Sequence, residues 1–395
     1  MSIFYFNSPP SKDIVDFDEI TRMISKSDRN SYFLSDWDSG SSINYLNLMY
    51  KKAFKESRYN IDHYNSSEKN ECQSTIVNYI NKLYNMSLSE NQVIIGNSAT
   101  SLISFYILQL TSLGIKNYLG LSPIYYTFLD AIKIVDANIT IYQPTLIGDF
   151  IDNDEVENVI KEKKIEAIII TDPIFCFGIS IKKSVIENLI RLAKKYNCYI
   201  ISDFTREGIR WCNDFEDEII GDSIKMFDGL NKFAILYSPC KKVFANGIKT
   251  GILIISNENI DYVYSLQDSF IGSISSMQIK FLSLLFKEDN YGYIYNQIAK
   301  NKELIMSNYQ KIMSLFSDSG FELARPQLGN FTVAKVNKLG NSDKEFFYFL
   351  VNKFNVITLP LSLYHYYDKN NYLFRINLTL KKDDLINAII RLLKL

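Results

Sequence analysis

The chain has 395 residues, a length typical of two domains, and 47% of them are hydrophobic, which is enough to build a sizeable core. Its 43 basic and 44 acidic residues give a formal net charge of −1, so the chain lacks the charge excess typical of proteins that bind nucleic acid or anionic membranes. Two histidines and five scattered cysteines without a CxxC pair argue against a metal site and a disulfide framework.

Residues 1–45 are irregular and polar, and we interpret them as an N-terminal arm that lies over the body of the protein. The chain begins without the basic segment and apolar run of a signal peptide. No apolar run reaches the length of about 18 residues that a transmembrane helix needs. We therefore expect a cytoplasmic protein with no membrane partner.

Short apolar runs alternate with amphipathic helical patterns between residues 91 and 256, as in SVIENLIRLAKKY (184–196). The predicted strands are QVIIG (92–96), YLGLS (118–122), ITIYQ (139–143), EAIIIT (166–171), CYIISD (198–203), FAILYS (233–238) and TGILIIS (250–256). Continuous β-branched runs separated by helices are typical of parallel strands that are buried on both faces. The sequence therefore predicts an α/β fold with a mostly parallel, seven-stranded sheet in a large domain (46–288).

The remainder of the chain has a different pattern. Residues 257–320 are mainly helical, FTVAKVN (331–337) is a further strand, and KDDLINAIIRLLKL (382–395) is an amphipathic helix. We predict a smaller α+β C-terminal domain (289–395).

The residues that follow each strand are the first candidates for a binding site, because open α/β sheets bind ligands beyond the carboxyl ends of their strands. GNSAT (96–100) follows the first predicted strand of the sheet and leads into a helix. Backbone N–H groups and the helix dipole favour an anion at such a turn. The more common role of serine and threonine there is a simple helix N-cap.

Two further strands end in residues with distinctive chemistry. Tyr125, in SPIYY (122–126), either covers the sheet edge, which is the more common role, or stacks on a flat ligand ring. Asp203 closes CYIISD, where a carboxylate is most often a helix cap or a metal ligand. The alternative is that Asp203 holds a proton on a heteroaromatic nitrogen.

The stretch LYSPCKKVFANGIKTGILIIS (236–256) places three lysines, a proline and two glycines between two apolar runs. A lysine at the end of a buried strand and beside other cations tends to have a lowered pKa, and it can then act as the nucleophilic amine of a Schiff base. A solvated loop is the more common interpretation of an isolated pair of lysines.

In their order and spacing these features resemble the fold type I pyridoxal-phosphate enzymes, specifically the class I/II aminotransferases, from about residue 64 to the end of the chain. GNSAT is similar to that family's phosphate loop, which implies that Ser98, Ala99 and Thr100 bind the phosphate of pyridoxal 5'-phosphate. The resemblance of SPIYY to the family's Pro-x-Tyr implies that Tyr125 stacks on the cofactor ring. Asp203 matches the aspartate that pairs with the pyridine nitrogen.

SPCKKVFANGIKTG (238–251) is similar to the family's Ser-x-Ser-Lys followed by Gly-x-Arg-x-Gly. The resemblance implies that Lys241 is the Schiff-base lysine, that Ser238 is the leading serine and that Lys249 is the cationic partner of the phosphate. The eight-residue step from Lys241 to Lys249 matches the family's spacing, whereas Lys242 would give a step of seven residues.

Two more segments carry the resemblance toward the substrate and a second subunit. YLFRINLTL (372–380) resembles the family's arginine segment, which implies that Arg375 binds the α-carboxylate of the substrate, a role suited to a planar guanidinium. DHYN (62–65) resembles the segment whose tyrosine reaches the neighbouring subunit's phosphate, which places Tyr64 in that role and implies a homodimer.

Three positions depart from the family pattern. In DPIFCFG (172–178) Phe175 replaces the asparagine that donates to the phenolic oxygen of the cofactor, and in DFTR (203–206) Arg206 replaces the tyrosine that contacts the same oxygen. Lys249 replaces an arginine, which keeps the charge but loses the fork geometry. Arg206 either stabilises the phenolate by its charge or binds a distal anionic group of the substrate.

The resemblance implies a pyridoxal-phosphate enzyme acting on an amino acid, by default an aminotransferase that also uses a keto acid. Lys241 would be the general base and acid, and Asp203 would keep the pyridine nitrogen protonated. Phe175 and Arg206 favour the alternative of a lyase, decarboxylase or cyclase of specialised metabolism. A ligand-sensing module is the non-enzyme alternative, but such sensors carry a DNA-binding region ahead of the fold, and residues 1–45 are too short and too neutral for one.

Overall fold

The structure is a computed structural model that describes residues 3–5, 22, 31–36, 44–57, 66–144, 151–206, 209–211, 225–227, 229–258, 260–338 and 342–395. Tyr64 and most of the predicted N-terminal arm lie outside these residues.

The strands of the described residues are β1 (Ile3–Tyr5), β2 (Tyr32–Phe33), β3 (Val93–Gly96), β4 (Asn117–Leu121), β5 (Asn138–Tyr142), β6 (Ala167–Thr171), β7 (Tyr199–Asp203), β8 (Phe233–Tyr237), β9 (Gly251–Ile255), β10 (Phe321–Leu323), β11 (Phe331–Asn337), β12 (Val356–Ile357), β13 (Leu359–Pro360) and β14 (Asn371–Asn377). Eight of them form one sheet in the order β1-β5-β4-β6-β7-β8-β9-β3. Neighbours from β5 to β8 in this order are parallel, whereas β9 is antiparallel to both β8 and β3. The predicted α/β fold with a mostly parallel sheet is confirmed, and all seven predicted strands are present.

The sheet has one strand more than the sequence predicts. β1 belongs to the segment that we interpret as an irregular arm, and it pairs antiparallel with β5 at the sheet edge. Three residues are too few to show the period-two alternation that identifies a strand in a sequence.

The helices of the described residues are α1 (Asn44–Ser57), α2 (Ser66–Tyr84), α3 (Ala99–Ser112), α4 (Tyr126–Ile134), α5 (Asn153–Glu162), α6 (Lys183–Tyr196), α7 (Pro239–Lys242), α8 (Ile260–Phe270), α9 (Ser276–Phe286), α10 (Tyr291–Phe316), α11 (Asp343–Phe354) and α12 (Lys382–Leu392). Side chains of α2, α5 and α6 belong to the core on one face of the large sheet, and side chains of α3, α4 and α8 belong to the core on the other face. Ile168 and Ile170 of β6 belong to the core on one face, and Ile169 belongs to the core on the other. Burial on both faces explains why these strands read as continuous apolar runs.

A second sheet has the order β10-β11-β14-β13, and β12 pairs with β2 beside it. β11 matches the predicted strand 331–337, and α12 matches the predicted C-terminal helix. The domain limits 46–288 and 289–395 stay a prediction. Within the described residues, no helix combines the length and the apolarity needed to cross a membrane.

Candidate active site

A cavity of about 310 Å³ opens where the parallel strands of the large sheet end. The predicted site residues that line it are Ser98, Ala99, Thr100, Tyr125, Phe175, Asp203, Arg206, Ser238, Lys241 and Lys249. Residues far apart in the sequence therefore meet at one place because the fold brings the strand ends together. Arg375 does not line the cavity, and Tyr64 lies outside the described residues.

One end of the cavity is formed by the N-terminus of α3. Ser98 caps this helix, since its Oγ accepts a hydrogen bond from the backbone N–H of Ser101 at 3.0 Å. The first backbone N–H groups of a helix have no acceptor within the helix and can bind an anion. A Cβ atom at Gly251 would lie 2.4 Å from the backbone nitrogen of Ala99, so glycine is needed where β9 begins beside this turn. Lys249, which is exposed, precedes Gly251 in a left-handed conformation with φ of 56°.

The middle of the cavity combines a buried carboxylate with aromatic rings. Asp203 ends β7 with only 3% of its surface exposed, and its Oδ1 accepts hydrogen bonds from the Thr205 backbone N–H at 3.0 Å and the Thr205 hydroxyl at 2.6 Å. The ring of Tyr125 lies 5.5 Å from that of Phe175, which in turn contacts the Tyr364 ring at 4.8 Å between centroids. The carboxylate is thus fixed in orientation beside an aromatic wall.

The two adjacent lysines of α7 have different surroundings. Lys241 is half-buried and lines the cavity. Lys242 is buried outside the cavity lining, where its Nζ donates to the Tyr84 hydroxyl at 2.8 Å and lies over the rings of Tyr84 and Tyr237. Successive residues of a helix point about 100° apart, so one lysine reaches the cavity and the other packs beneath it.

The environment of Lys241 favours the neutral amine. Burial lowers the pKa of the Lys241 ammonium well below its ordinary value, and the positive charge of Arg206 lowers this pKa further. Lys249 and Arg375 act in the same direction, whereas the carboxylate of Asp203 opposes them. A larger neutral fraction makes an amine a better nucleophile and a better base at neutral pH.

This lowered pKa predicts a pH-dependent stability of the cofactor-free protein. Between the lowered pKa of folded Lys241 and the ordinary lysine value of about 10.4, the unfolded chain binds more protons than the folded one, so the free energy of unfolding contributed by Lys241 rises with pH. Urea unfolding of the parent and of Lys241→Met at several pH values measures this contribution. From pH 7 to 10 the free energy of unfolding of the parent should increase relative to that of the variant. Parallel profiles for the two proteins would contradict the lowered pKa.

Two arginines lie next to the cavity and share one aromatic ring. The guanidinium carbon of Arg206 lies 4.4 Å from the centroid of the Phe331 ring, and that of Arg375 lies 4.3 Å from the same centroid. Burial and the charge of Arg375 lower the pKa of Arg206 to about 10. Arg375 is fully buried in β14, between Val333 of β11 and Leu359 of β13.

The segment 31–36 is hydrogen-bonded to Arg375. Arg375 donates through Nη2 to the backbone carbonyl of Ser35, and the Ser35 hydroxyl donates to the backbone carbonyl of Arg375. The Ser35 Oγ also accepts from the backbone N–H of Leu359 at 2.8 Å. Sequence reasoning missed Ser35, because a serine in a polar segment carries no signal of a contact 340 residues away.

Sequence reasoning also missed several residues that line the cavity, namely Tyr126, Thr205, Cys240, Asn246 and Thr250. A signal existed for Thr205, because an aspartate side chain in a turn commonly accepts a hydrogen bond from the backbone N–H two residues later. Cys240, Asn246 and Thr250 flank Lys241 and Lys249, so their proximity follows from those two positions.

Comparison with known proteins identifies the family of the chain. Residues 47–392 match the family model for aminotransferase class I and II. The aspartate aminotransferase of Thermotoga maritima is 21% identical over 243 residues, which is 61% of this chain and 62% of that protein. 1-Aminocyclopropane-1-carboxylate synthase 7 of Arabidopsis thaliana is 22% identical over 172 residues, which is 42% of this chain and 37% of that protein. The match thus spans less than two thirds of either relative's length.

The fold agrees with that of solved aminotransferases. A single mutant of the aspartate aminotransferase of Thermus thermophilus superposes on this structure with a TM-score of 0.80 and 14% sequence identity, over 98% of this chain and 97% of that one. The fold type I architecture predicted from the sequence is therefore confirmed, and so is the family that the sequence resembles. The chain belongs to the aminotransferase class I and II family.

Proposed function

We propose that this protein is a pyridoxal-phosphate-dependent enzyme that transforms an amino acid, by default an aminotransferase with a keto acid as its second substrate. The observation that carries the proposal is the meeting of Lys241, Asp203 and Lys249 with the N-terminus of α3 around one cavity. An amine, a carboxylate and an anion-binding helix terminus are the groups that this cofactor requires of a protein.

The residues present fit the cofactor. Ser98, Thr100 and Lys249, together with the backbone N–H of Ala99, would hold the phosphate, because they place donors and a positive charge where Gly251 leaves the helix terminus open. Asp203 would hold the pyridine nitrogen. The other predicted site residues would contact different parts of the cofactor and substrate. Tyr125 and Phe175 would lie at the cofactor ring, Ser238 beside the phosphate and Lys241 at the aldehyde carbon. Arg206 and Arg375 would lie at the substrate.

Bound pyridoxal phosphate supplies an electron sink that stabilises the negative charge left when a bond at the amino acid's Cα breaks. Lys241 takes the proton from Cα as its neutral amine and returns it as the ammonium. Thr205 orients the carboxylate of Asp203 through two hydrogen bonds. This carboxylate would hold a proton on the pyridine nitrogen of the bound cofactor. The adjacent rings of Tyr125 and Phe175 line the cavity and would limit the access of water to the bound cofactor.

A second candidate function is a lyase, decarboxylase or cyclase reaction. Phe175 is buried against Tyr364, so an apolar ring stands where the family has an amide donor. Arg206 stands where the family pattern has the tyrosine that also contacts the phenolic oxygen of the cofactor. The similarity to 1-aminocyclopropane-1-carboxylate synthase 7 adds support for a reaction other than transamination.

Incubation of the purified, cofactor-loaded protein with pooled amino acids, with and without a keto acid, tests the proposed function. An aminotransferase should form new keto and amino acids when the keto acid is present, with a change in the visible spectrum. Products that form without a keto acid would favour the second candidate. Binding without any product would contradict both and favour a sensing module.

The proposed role of Lys249 predicts weaker cofactor binding in Lys249→Ala. A charge-assisted hydrogen bond contributes about 1.5–3 kcal/mol, so the affinity for pyridoxal phosphate should fall roughly tenfold or more. Equilibrium dialysis measures this affinity directly. Lys232→Ala, at a half-buried position outside the cavity lining, is the control and should bind like the parent. Unchanged affinity in Lys249→Ala would remove Lys249 from the phosphate site.

We also propose that the protein is a homodimer with Tyr64 reaching the partner's phosphate. Leu48 and Phe54 of α1 are 63% and 62% exposed, and a subunit contact at this helix would bury them. Light scattering should give twice the mass of the chain. A fully active monomer would contradict this assembly.

We place the protein in the cytoplasm. The described cysteines Cys72, Cys176, Cys198 and Cys240 are buried and form no disulfides, as expected in a reducing compartment. Fractionation of cells that produce the protein tests this location.

A further inference from the structure

We infer that Arg206 is a second carboxylate-binding residue, which acts together with Arg375 on one substrate carboxylate beside the Phe331 ring. This assignment deepens the proposed function and rests on it, because an amino acid or keto acid substrate supplies the carboxylate. The family pattern has a tyrosine where this chain has Arg206, so the paired guanidinium groups are a feature of this chain.

The first support is the shared ring. The guanidinium carbons of Arg206 and Arg375 lie 4.4 and 4.3 Å from the centroid of Phe331. Phe331 is buried at the start of β11, and β14, which carries Arg375, is hydrogen-bonded to β11. Both cations therefore lie over one buried aromatic side chain, and cation–π attraction favours this position of each guanidinium.

The two arginines differ in their position relative to the cavity. Arg206 lines the cavity, whereas Arg375 does not line it and has no exposed surface. The Nη2 of Arg375 is already engaged by the carbonyl of Ser35. A carboxylate in the cavity therefore has Arg206 at the cavity lining. In the proposed site its two oxygens accept hydrogen bonds from Arg206 and Arg375 together.

The third support is the balance of charge. Among the residues that line the cavity, Arg206, Lys241 and Lys249 are basic and Asp203 is acidic, and Arg375 adds a further positive charge behind them. Burial lowers the pKa of Arg206, and the positive charge of Arg375 lowers it further, as a nearby like charge does. An anion bound between the arginines offsets this repulsion, and the N-terminus of α3 and Lys249 remain for the phosphate.

The two other roles of Arg206 make different demands. If Arg206 contacts the phenolic oxygen of the cofactor, replacing it should not change the affinity for substrate carboxylates. A contact to a distal anionic group would make Arg206 matter for a dicarboxylate and leave a monocarboxylate unaffected. Sharing one carboxylate with Arg375 makes Arg206 matter for both.

Isothermal titration with propionate and with succinate separates these roles. The titrations use the full-length protein, with and without bound pyridoxal phosphate, as the parent, Arg206→Gln, Arg375→Gln and the double variant. Each single variant should bind propionate at least tenfold more weakly than the parent, and succinate should weaken similarly. The double variant should lose less affinity than the product of the two single losses, because the arginines share one anion.

Controls keep structural damage apart from lost binding. Arg191→Gln removes an exposed arginine of α6 that contacts Asn188 and should bind like the parent. Arg206→Lys keeps the charge without the fork and should fall between the parent and Arg206→Gln. Urea unfolding of each variant reports on the fold.

Three results would contradict the shared carboxylate site. Unchanged propionate binding in Arg206→Gln would contradict the shared site, whether or not succinate binding falls. The same conclusion would follow from a folded Arg206→Lys that binds propionate as weakly as Arg206→Gln, or from a parent protein that binds no propionate. Failure of the proposed function gives a different result, namely no binding of pyridoxal phosphate or no product from any amino acid. Carboxylate titrations of the cofactor-free protein remain informative in that case.

Discussion

Replacing Lys241 with alanine should lower turnover by roughly 10²–10⁴-fold, because a positioned general base contributes about that factor to proton transfer. Lys241 lines the cavity, and its surroundings lower its pKa. Its neutral amine is therefore suited to take the proton from Cα. Steady-state kinetics on the amino acid identified by the product screen measure the loss. The visible spectrum of the loaded variant should differ from that of the parent as well, because the covalent link is absent.

Lys242→Met is the matched control, since it changes the adjacent lysine. Lys242 bonds to Tyr84 and is buried outside the cavity lining, so its replacement should lower the free energy of unfolding and leave the turnover of the folded fraction near that of the parent. Loss of turnover in Lys242→Met together with retained turnover in Lys241→Ala would reverse the assignment of the two residues.

Asp203→Asn should lower turnover by about 10²–10⁴-fold. The carboxylate is 3% exposed, and removing one partner of a buried charge pair costs about 3–5 kcal/mol, here the carboxylate opposite a protonated ring nitrogen. The shape of the side chain is kept, and Oδ1 can still accept from Thr205, so the fold should persist. Single-turnover kinetics with a fixed amount of bound cofactor measure the chemical step apart from cofactor loss.

A neighbouring buried carboxylate provides the control for this change. Asp172 accepts hydrogen bonds from the Ser180 hydroxyl and the Ile181 N–H, both at 3.2 Å, and it does not line the cavity. Asp172→Asn should therefore reduce stability and spare the chemical step. Equal losses of turnover in the two variants would mean that Asp203 acts through the fold alone.

Much of the fold could be predicted because its signals are local and repeated. A strand such as β6 is buried at every residue, which produces a continuous apolar run, and α6 has one apolar face. β1 and β2 could not be predicted, since strands of three and two residues carry no periodicity and form only by pairing with distant segments.

The candidate site divides in a similar way. Residues at strand ends, such as Asp203 and Lys241, could be predicted because topology places all strand ends together and because their spacing matches a family pattern. Ser35 and Phe331 could not be predicted, as their roles come from tertiary contacts to arginines far away in the sequence. The sequence also left the place of Arg206 open, and the structure shows its guanidinium over the ring of Phe331, as it does the guanidinium of Arg375.

The central claim is that Lys241 is the residue that joins pyridoxal phosphate to this protein. Treatment of the cofactor-loaded protein with borohydride, followed by proteolysis and mass spectrometry of the peptides, tests that claim most directly. We expect a reduced pyridoxyl group on Lys241 and an unmodified Lys242. A label on Lys242 or Lys232, or no labelled lysine at all, would contradict it.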